Sequence, residues 1–187
     1  MIILITGASH TGKTNLAQKM LEKYKYPYLS IDHLKMGLIR SGYTNFTPEN
    51  DDELTTYLWP IVKEIIRTAI ENNQNLIVEG IYVPLTFRKD FDEKYISQIR
   101  FICLAMSDKY IDKHYDEIIS HSCDIEKRLY TECNTNNLKN DNRKIIDGFT
   151  NAGEQVVVID DDYDKVINEL LWDNPINFKF RLLKICY

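Results

Sequence analysis

The sequence lacks features that would place it in several common classes of protein. It has no apolar run near the ~20 residues that a membrane-spanning helix needs, so we expect no membrane partner. It has no basic surplus, because 23 Lys and Arg stand against 28 Asp and Glu for a net charge of -5. Nucleic-acid binders usually carry a basic surface, so we expect no nucleic-acid partner. The chain begins directly with a predicted strand, which leaves no room for a signal peptide and predicts a cytoplasmic protein.

Metal-ligand spacing is also missing among the cysteines, which are Cys103, Cys123, Cys133 and Cys186. Cys103 lies inside an apolar run and is predicted to be a small core residue of a reduced protein. His114 and His121 lie near Cys123, but nothing completes a metal site, so we interpret them as structural. A length of 187 residues with 44% hydrophobic residues is typical of one domain with a substantial core.

The most specific motif is GASHTGKT at residues 7–14, which matches the phosphate-loop pattern G-x-x-x-x-G-K-[ST] at every fixed position. A short apolar run at 2–5 precedes it and predicts a buried strand, and residues 13–24 follow with helical spacing. This arrangement turns backbone N–H groups and a helix N-terminus toward an anion. It predicts a nucleotide polyphosphate site formed by Gly7, Ser9, His10, Thr11, Gly12, Lys13, Thr14 and Asn15.

The fixed positions of this loop have separate chemical roles. Gly7 and Gly12 permit unusual backbone torsions and a close approach of the phosphates. Lys13 supplies a positive charge for the β- and γ-phosphates. The hydroxyl group of Thr14 is placed to ligate Mg²⁺.

Strand and helix signals alternate along the rest of the chain. Five apolar strands are predicted at about residues 2–5, 28–31, 76–80, 100–106 and 155–159. Strands separated by helices predict an α/β fold, with a parallel sheet covered on both faces. Ligands in such sheets bind outside the carboxyl ends of the strands. This rule groups the phosphate loop with Asp32 after the second strand and Glu79 at the end of the third.

Several helix boundaries are predicted from local signals. A hydroxyl group followed by proline at 47–49 predicts the start of a long helix, and Pro60 predicts a kink or a break within it. The aromatic residues of segment 87–95 predict a further helix. Polar breaks are predicted near Ser120 and Asn134.

The order of these elements resembles the small P-loop kinases of the nucleoside-monophosphate-kinase-like group. That group includes adenylate, shikimate and gluconate kinases, chloramphenicol phosphotransferase and zeta-toxin-like kinases. The resemblance covers most of the chain, and its motifs are the phosphate loop, SIDHLK at 30–35 and IVEG at 77–80. It implies a three-layer P-loop fold with strand order 2-3-1-4-5, in a single domain over residues 1–187. It also implies a helical lid at about 108–145.

The resemblance implies a function as well as a fold. It implies that MgATP donates a phosphoryl group to a small-molecule acceptor. Separately, we expect the protein to act as a monomer or homodimer. The chain departs from the group at two positions. No long apolar run ends in the Asp of a Walker B element, and Glu79 is the nearest substitute. Lys35 stands where adenylate kinases carry an Arg for the acceptor's phosphate, which disfavours a nucleoside monophosphate as acceptor.

Five residues are candidates for the acceptor side, and each has a simpler interpretation. Asp32 is the candidate general base and a candidate metal ligand, or else a helix N-cap. Glu79 contacts the acceptor or the metal, or else is a solvated acid at a strand end. Lys35 and Arg40 bind an anionic acceptor, or else are solvated surface charges. Arg88 reaches the acceptor, or else lies on a helix surface.

Lids in these kinases supply arginines that stabilise charge on the transferring phosphoryl group. Arg128 is the candidate catalytic arginine here, and Arg143 is the alternative. An exposed ion pair with Asp124 is the simpler interpretation of Arg128. The acidic turn 160–162 is either the adenine-contacting loop of this group or a charged turn before the last helix. The tail 174–187 is either an edge strand or a partner contact.

The sequence therefore predicts a MgATP-dependent phosphotransferase that acts on a hydroxyl of a metabolite, sugar derivative or antibiotic. Two alternatives remain open at this point: a nucleoside monophosphate kinase, and a nucleotide-binding NTPase or switch that acts on a protein partner. The sequence has no recognisable guanine-selecting motif, which disfavours a GTPase.

Overall fold

A five-stranded parallel sheet forms the centre of the computed structural model, which describes residues 1–121 and 134–171. The strand order is β2-β3-β1-β4-β5, so the predicted α/β fold and strand order are confirmed. All four strand pairs are parallel. The strands are β1 (Ile2–Gly7), β2 (Tyr28–Ser30), β3 (Leu76–Glu79), β4 (Ile99–Met106) and β5 (Val156–Ile159).

Helices connect the strands and cover the sheet. A 3₁₀ helix at Phe87–Asp90 lies between β3 and α4. The α-helices are α1 (Lys13–Tyr24), α2 (Ile31–Arg40), α3 (Asp51–Glu71), α4 (Glu93–Ile96), α5 (Asp108–Ser120), α6 (Thr135–Asn151) and α7 (Tyr163–Glu169). Across the described residues, no helix combines the length and apolar character that a membrane crossing requires.

The central strand β1 is buried on both faces. Ile2 and Leu4 belong to a core cluster formed largely with α3, whereas Ile3 and Ile5 belong to a second cluster with α1 and α7. Successive side chains of a strand point to opposite faces, so a strand between two helical layers must be apolar at every position. This three-layer arrangement explains why β1 is a continuous apolar run in the sequence.

The predicted start of the long helix α3 is wrong, and of the two outcomes predicted at Pro60, a break into two helices does not occur. The helix begins at Asp51, because the side chain of Asn50 accepts hydrogen bonds from the backbone N–H (2.8 Å) and hydroxyl group (3.1 Å) of Thr47. These bonds hold residues 47–50 in a turn instead of a first helical turn. The helix then runs through Pro60 without a break. Pro60 and Thr56 are both exposed, so the carbonyl group that loses its helical partner can be hydrated.

The helix predicted over 87–95 is also wrong, since the 3₁₀ helix and α4 divide this segment. Phe91 between them is extended, with φ -126° and ψ 132°. Phe87 and Phe91 both pack edge-on against Trp59, with ring centroids 6.4 and 6.2 Å away. Anchoring both rings in the same core interrupts the helix, which is a tertiary effect that the local sequence does not carry.

The polar breaks in the predicted lid are confirmed. Helix α5 ends at Ser120, and the side chain of Asn134 caps α6 by accepting a hydrogen bond from the backbone N–H of Asn137 (2.8 Å). Residues 122–133 of the predicted lid, and the predicted tail 174–187, lie outside the described residues.

Candidate functional site

The phosphate loop lies between β1 and α1, and glycine is required at both of its fixed glycine positions. Gly7 has φ +139°, and a Cβ there would lie 2.0 Å from the carbonyl oxygen of Leu104 on β4. The backbone N–H of Ala8 donates to that same oxygen at 3.0 Å, which seats the loop on the sheet. Gly12 has φ +79°, and a Cβ there would lie 2.0 Å from the hydroxyl oxygen of Tyr163.

The N-terminus of α1 has the features of an anion site. Gly12 is the N-cap and offers no side chain to the first turn, which also contains no acidic residue. The first N–H groups of a helix have no helical partner and carry partial positive charge. Lys13 is 6% exposed, and its Nζ donates to the carbonyl oxygen of Ala8 at 2.7 Å. The ammonium group is therefore held across the loop, where it would meet bound phosphates.

Glu79 lies beside the phosphate loop. It ends β3, next to Ile5 of β1, and its Oε2 accepts a hydrogen bond from the hydroxyl group of Thr14 at 3.3 Å. The residue is 1% exposed, so the interpretation as a solvated strand-end acid does not hold. A hydroxyl and a carboxylate oxygen side by side are the ligand types that Mg²⁺ prefers, so these residues fit the predicted metal.

Asp32 lies in the first turn of α2 but does not cap the helix. The cap is Ser30, whose side chain accepts a hydrogen bond from the backbone N–H of His33 at 3.4 Å. Ser30 is the register partner of Glu79, so α2 begins beside the end of β3. The carboxylate of Asp32 pairs with Lys35 Nζ at 2.9 Å and is 29% exposed. Its side chain therefore remains available for other contacts at this edge of the sheet.

Lys35 connects Asp32 to two residues that the sequence did not single out. Its Nζ donates to the hydroxyl oxygen of Tyr82 at 2.8 Å, and that hydroxyl group donates to Asp51 Oδ1 at 2.8 Å. Tyr82 is fully buried, three residues after Glu79. Its position just past the carboxyl end of β3 was the available signal, but only the fold shows that α3 begins opposite it.

Arg40 and Arg88 are not brought to this cluster by any described contact. Arg40 is exposed in the last turn of α2, about 12 Å along the helix axis from Asp32. Arg88 forms two hydrogen bonds with the Glu154 carboxylate. Its Nε donates to Oε1, and its Nη2 donates to Oε2 at 2.8 Å. Glu154 lies two residues before β5, at the amino end of that strand and so away from the phosphate loop.

The other side of the phosphate loop meets the start of α7. The side-chain amide of Asn15 donates to the hydroxyl oxygen of Tyr163 at 2.9 Å, and burial raises the pKa of that tyrosine. Asp162 caps α7 by accepting from the backbone N–H of Lys165 at 2.9 Å. The acidic turn 160–162 therefore positions Tyr163 against the loop, and no motif in the sequence pointed to this tyrosine.

Of the two candidate lid arginines, Arg143 lies within the described residues and Arg128 does not. Arg143 on α6 pairs with Asp108 at the start of α5, and this hydrogen bond raises the pKa of Arg143. Arg128 lies outside the described residues. Among the described residues, no group of three or more His, Cys, Asp or Glu side chains is placed to hold a metal by itself.

No family model matches the chain, and no curated protein matches it in sequence comparison. Solved structures do match it, at low sequence identity. A deoxyadenosine kinase from M. mycoides has a TM-score of 0.55 at 14% identity, over 91% of this chain and 97% of that one. A gluconokinase from Sinorhizobium meliloti 1021 has a TM-score of 0.53 at 16% identity, over 90% and 88%. A shikimate kinase from Bacteroides thetaiotaomicron has a TM-score of 0.50 at 14% identity, over 91% and 96%.

The chain has the fold of the small P-loop kinases. Within this fold, two groups of side chains lie toward the carboxyl ends of the strands, where α/β proteins bind their ligands. One group is Thr14 with Glu79, and the other is Asp32 with Lys35 and Tyr82. The match extends over at least 88% of each chain.

Proposed function

We propose that this protein transfers the γ-phosphoryl group of ATP to a hydroxyl group of a small-molecule acceptor. One observation carries the proposal: the buried carboxylate of Glu79 accepts a hydrogen bond from Thr14 of the phosphate loop. A phosphate cradle joined to a buried acid supports nucleotide chemistry more than structural nucleotide binding.

Phosphoryl transfer depends on positioning and on charge neutralisation. In our proposal, Lys13 and the N-terminus of α1 neutralise the phosphates. The bond between the γ-phosphorus and the oxygen bridging to the β-phosphate breaks while the acceptor oxygen bonds to phosphorus. Asp32 orients the acceptor hydroxyl and takes its proton. Arg128, or Arg143 in its place, stabilises the charge on the transferring group.

Mg²⁺ is expected with the nucleotide. Thr14 and Glu79 would hold it, with Asp32 as a further carboxylate at the same edge. A bound Mg²⁺ supplies charge neutralisation to the phosphate oxygens. Of the two contacts that the sequence left open for Glu79, the acceptor or the metal, we propose the metal, beside Thr14 and Asp32.

The first experiment measures ADP formation from MgATP with pooled hydroxylated metabolites, nucleosides, nucleotides and antibiotics. We expect one pool to stimulate ADP formation, and Lys13→Ala to abolish both that stimulation and ATP binding. Lys19→Ala, a lysine on the same helix outside the loop, is the matched control and keeps both. Slow hydrolysis that no pool stimulates, with ATP still bound, would contradict the proposal and favour a nucleotide-dependent switch.

A second variant separates chemistry from nucleotide binding. Asp32→Asn keeps the size of the side chain but cannot take a proton, so we expect it to bind ATP normally and lose most turnover. Asp52→Asn is the matched control, because Asp52 is also a first-turn helix residue and is exposed. Unchanged turnover in Asp32→Asn would remove Asp32 from the mechanism.

A further inference from the structure

The acceptor side of the cleft has a distinctive charge pattern. We call Asp32, Lys35, Asp51 and Tyr82 the acceptor wall. Lys35 is its cation, and its side chain is 12% exposed. The ammonium group lies 2.9 Å from the Asp32 carboxylate and 2.8 Å from the Tyr82 hydroxyl, and 5.0 Å from the centroid of the Tyr82 ring. These partners already compensate its charge.

Further negative charge lies around the same ammonium group. The Asp51 carboxylate accepts a hydrogen bond from the Tyr82 hydroxyl group, which itself accepts one from Lys35. Tyr82 therefore links Asp51 to Lys35. Glu49 lies close enough that Lys35 helps to lower the pKa of its carboxyl group, although the hydrogen bond from Thr47 is the larger cause. Three carboxylates, those of Asp32, Asp51 and Glu49, therefore lie around the single ammonium group of Lys35. Glu79, which we assign to the metal, is not counted among them.

An anionic acceptor needs a cation that is available to it, usually a guanidinium or ammonium group that can pair with phosphate or carboxylate. The sequence offered three such candidates among the described residues. Lys35 is paired with Asp32, Arg88 is paired with Glu154 at the amino end of β5, and Arg40 is exposed at the far end of α2. Among the described residues, none of these three cations is therefore placed to pair with an anionic acceptor at the wall.

We propose that the acceptor wall selects hydroxylated molecules that are uncharged or carry an amino group, and rejects those that carry a phosphate or carboxylate. This inference rests on the proposed function, since it names the acceptor class of that same reaction. An acidic wall attracts a protonated amine and repels an anion at close range. From the charges of the described residues, nucleoside monophosphates and sugar acids are expected to be poor acceptors.

Anion binding can be tested without turnover. With the phosphate loop filled by a non-hydrolysable ATP analogue and Mg²⁺, inorganic phosphate is titrated while amide NMR signals of α2 and of Tyr82 are followed. We expect no saturable shift at these signals. A saturable shift that disappears in Lys35→Met, and persists in the control Lys19→Met, would identify an anion site at Lys35 and overturn the inference.

Acceptor selectivity is then measured with probes that share one skeleton and differ in charge: glucose, gluconate and glucosamine, and each nucleoside beside its monophosphate. We expect kcat/KM for the uncharged or amino-bearing member of an active set to exceed that of the anionic member by at least about tenfold. Asp51→Asn should narrow this ratio more than Asp52→Asn, because Asp51 is hydrogen-bonded into the wall.

The two proposals fail in different ways. A preferred anionic acceptor would overturn the charge inference and uphold phosphoryl transfer. If no acceptor of any charge stimulates ADP formation, phosphoryl transfer fails, and the phosphate titration still decides whether the wall binds anions.

Discussion

The contact between Gly12 and Tyr163 allows a quantitative test of how the phosphate loop is held. Replacing Gly12 with alanine introduces a Cβ at 2.0 Å from the tyrosine Oη, 2.8 Å from Cζ and 2.9 Å from Cε2. Gly12 also has φ +79°, a conformation that disfavours alanine by about 1–2 kcal/mol. Moving the ring away breaks its hydrogen bond with Asn15 and disturbs its packing, for about 2–3 kcal/mol more.

The two contributions separate in a double-mutant cycle. We expect Gly12→Ala to lower the free energy of unfolding by about 3–5 kcal/mol in the natural chain. In a Tyr163→Ala background the clash is gone and the backbone strain remains, so the same substitution should cost only about 1–2 kcal/mol. The coupling of about 2 kcal/mol or more is measured by urea unfolding without nucleotide.

Gly37→Ala is a matched control for which we expect the opposite change in the free energy of unfolding. Gly37 lies inside α2, and a Cβ there would meet no atom within 4 Å. Gly37→Ala should therefore raise stability by about 0.5–1 kcal/mol, because alanine is the better helix former. If Gly12→Ala has the same cost with and without Tyr163, to within about 0.5 kcal/mol, the steric argument is refuted.

Three further predictions follow from described contacts. Arg88→Met should lower the free energy of unfolding by about 1 kcal/mol, because Arg88 pairs with Glu154. It should leave the KM for the acceptor unchanged, and a raised KM would show that Arg88 contacts the acceptor. Trp59→Phe should cost about 1 kcal/mol in urea unfolding, since it removes the indole hydrogen bond to Asp90 (2.8 Å); an unchanged midpoint would contradict this. Burial raises the pKa of Cys103 from 9.0 to about 12. Above pH 9 the unfolded chain therefore releases a proton that the folded chain keeps, and stability should fall by up to about 1.4 kcal/mol per pH unit. Cys103→Val should remove that part of the slope between pH 8 and 10.5, and an identical slope in both proteins would refute it.

The sheet and the phosphate loop were predictable because their signals are local. The motif at 7–14 predicts a glycine loop between a preceding strand and a following helix, and short apolar runs predict the positions of the strands. The strand order came from the resemblance to a known fold. The start of α3 was not predictable in the same way, since Thr47 and Asn50 are both good capping residues and only their mutual hydrogen bonds decide between them.

The acceptor wall shows where local reasoning stops. The pairing of Asp32 with Lys35 follows from their spacing on one helix. The next two links, to Tyr82 and then to Asp51, join residues 47 and 31 positions apart in the chain. No periodicity encodes such contacts, because they depend on α2, α3 and the end of β3 meeting at one edge. The charge character of the wall is therefore a property of the fold and was not available from the sequence.

The register of the sheet supports our proposal that Glu79 on β3 takes the role of the Walker B aspartate that the sequence lacks. Two strands, β3 and β4, flank β1, and their carboxyl ends lie on either side of the start of the phosphate loop. On the β4 side, Leu104 lies opposite Gly7, and its backbone is already used to seat the loop. On the β3 side, Glu79 lies opposite Ile5, two residues before the loop begins, so its side chain must span that gap. The longer reach of glutamate meets this requirement, which is why we assign the carboxylate of the proposed metal site to β3.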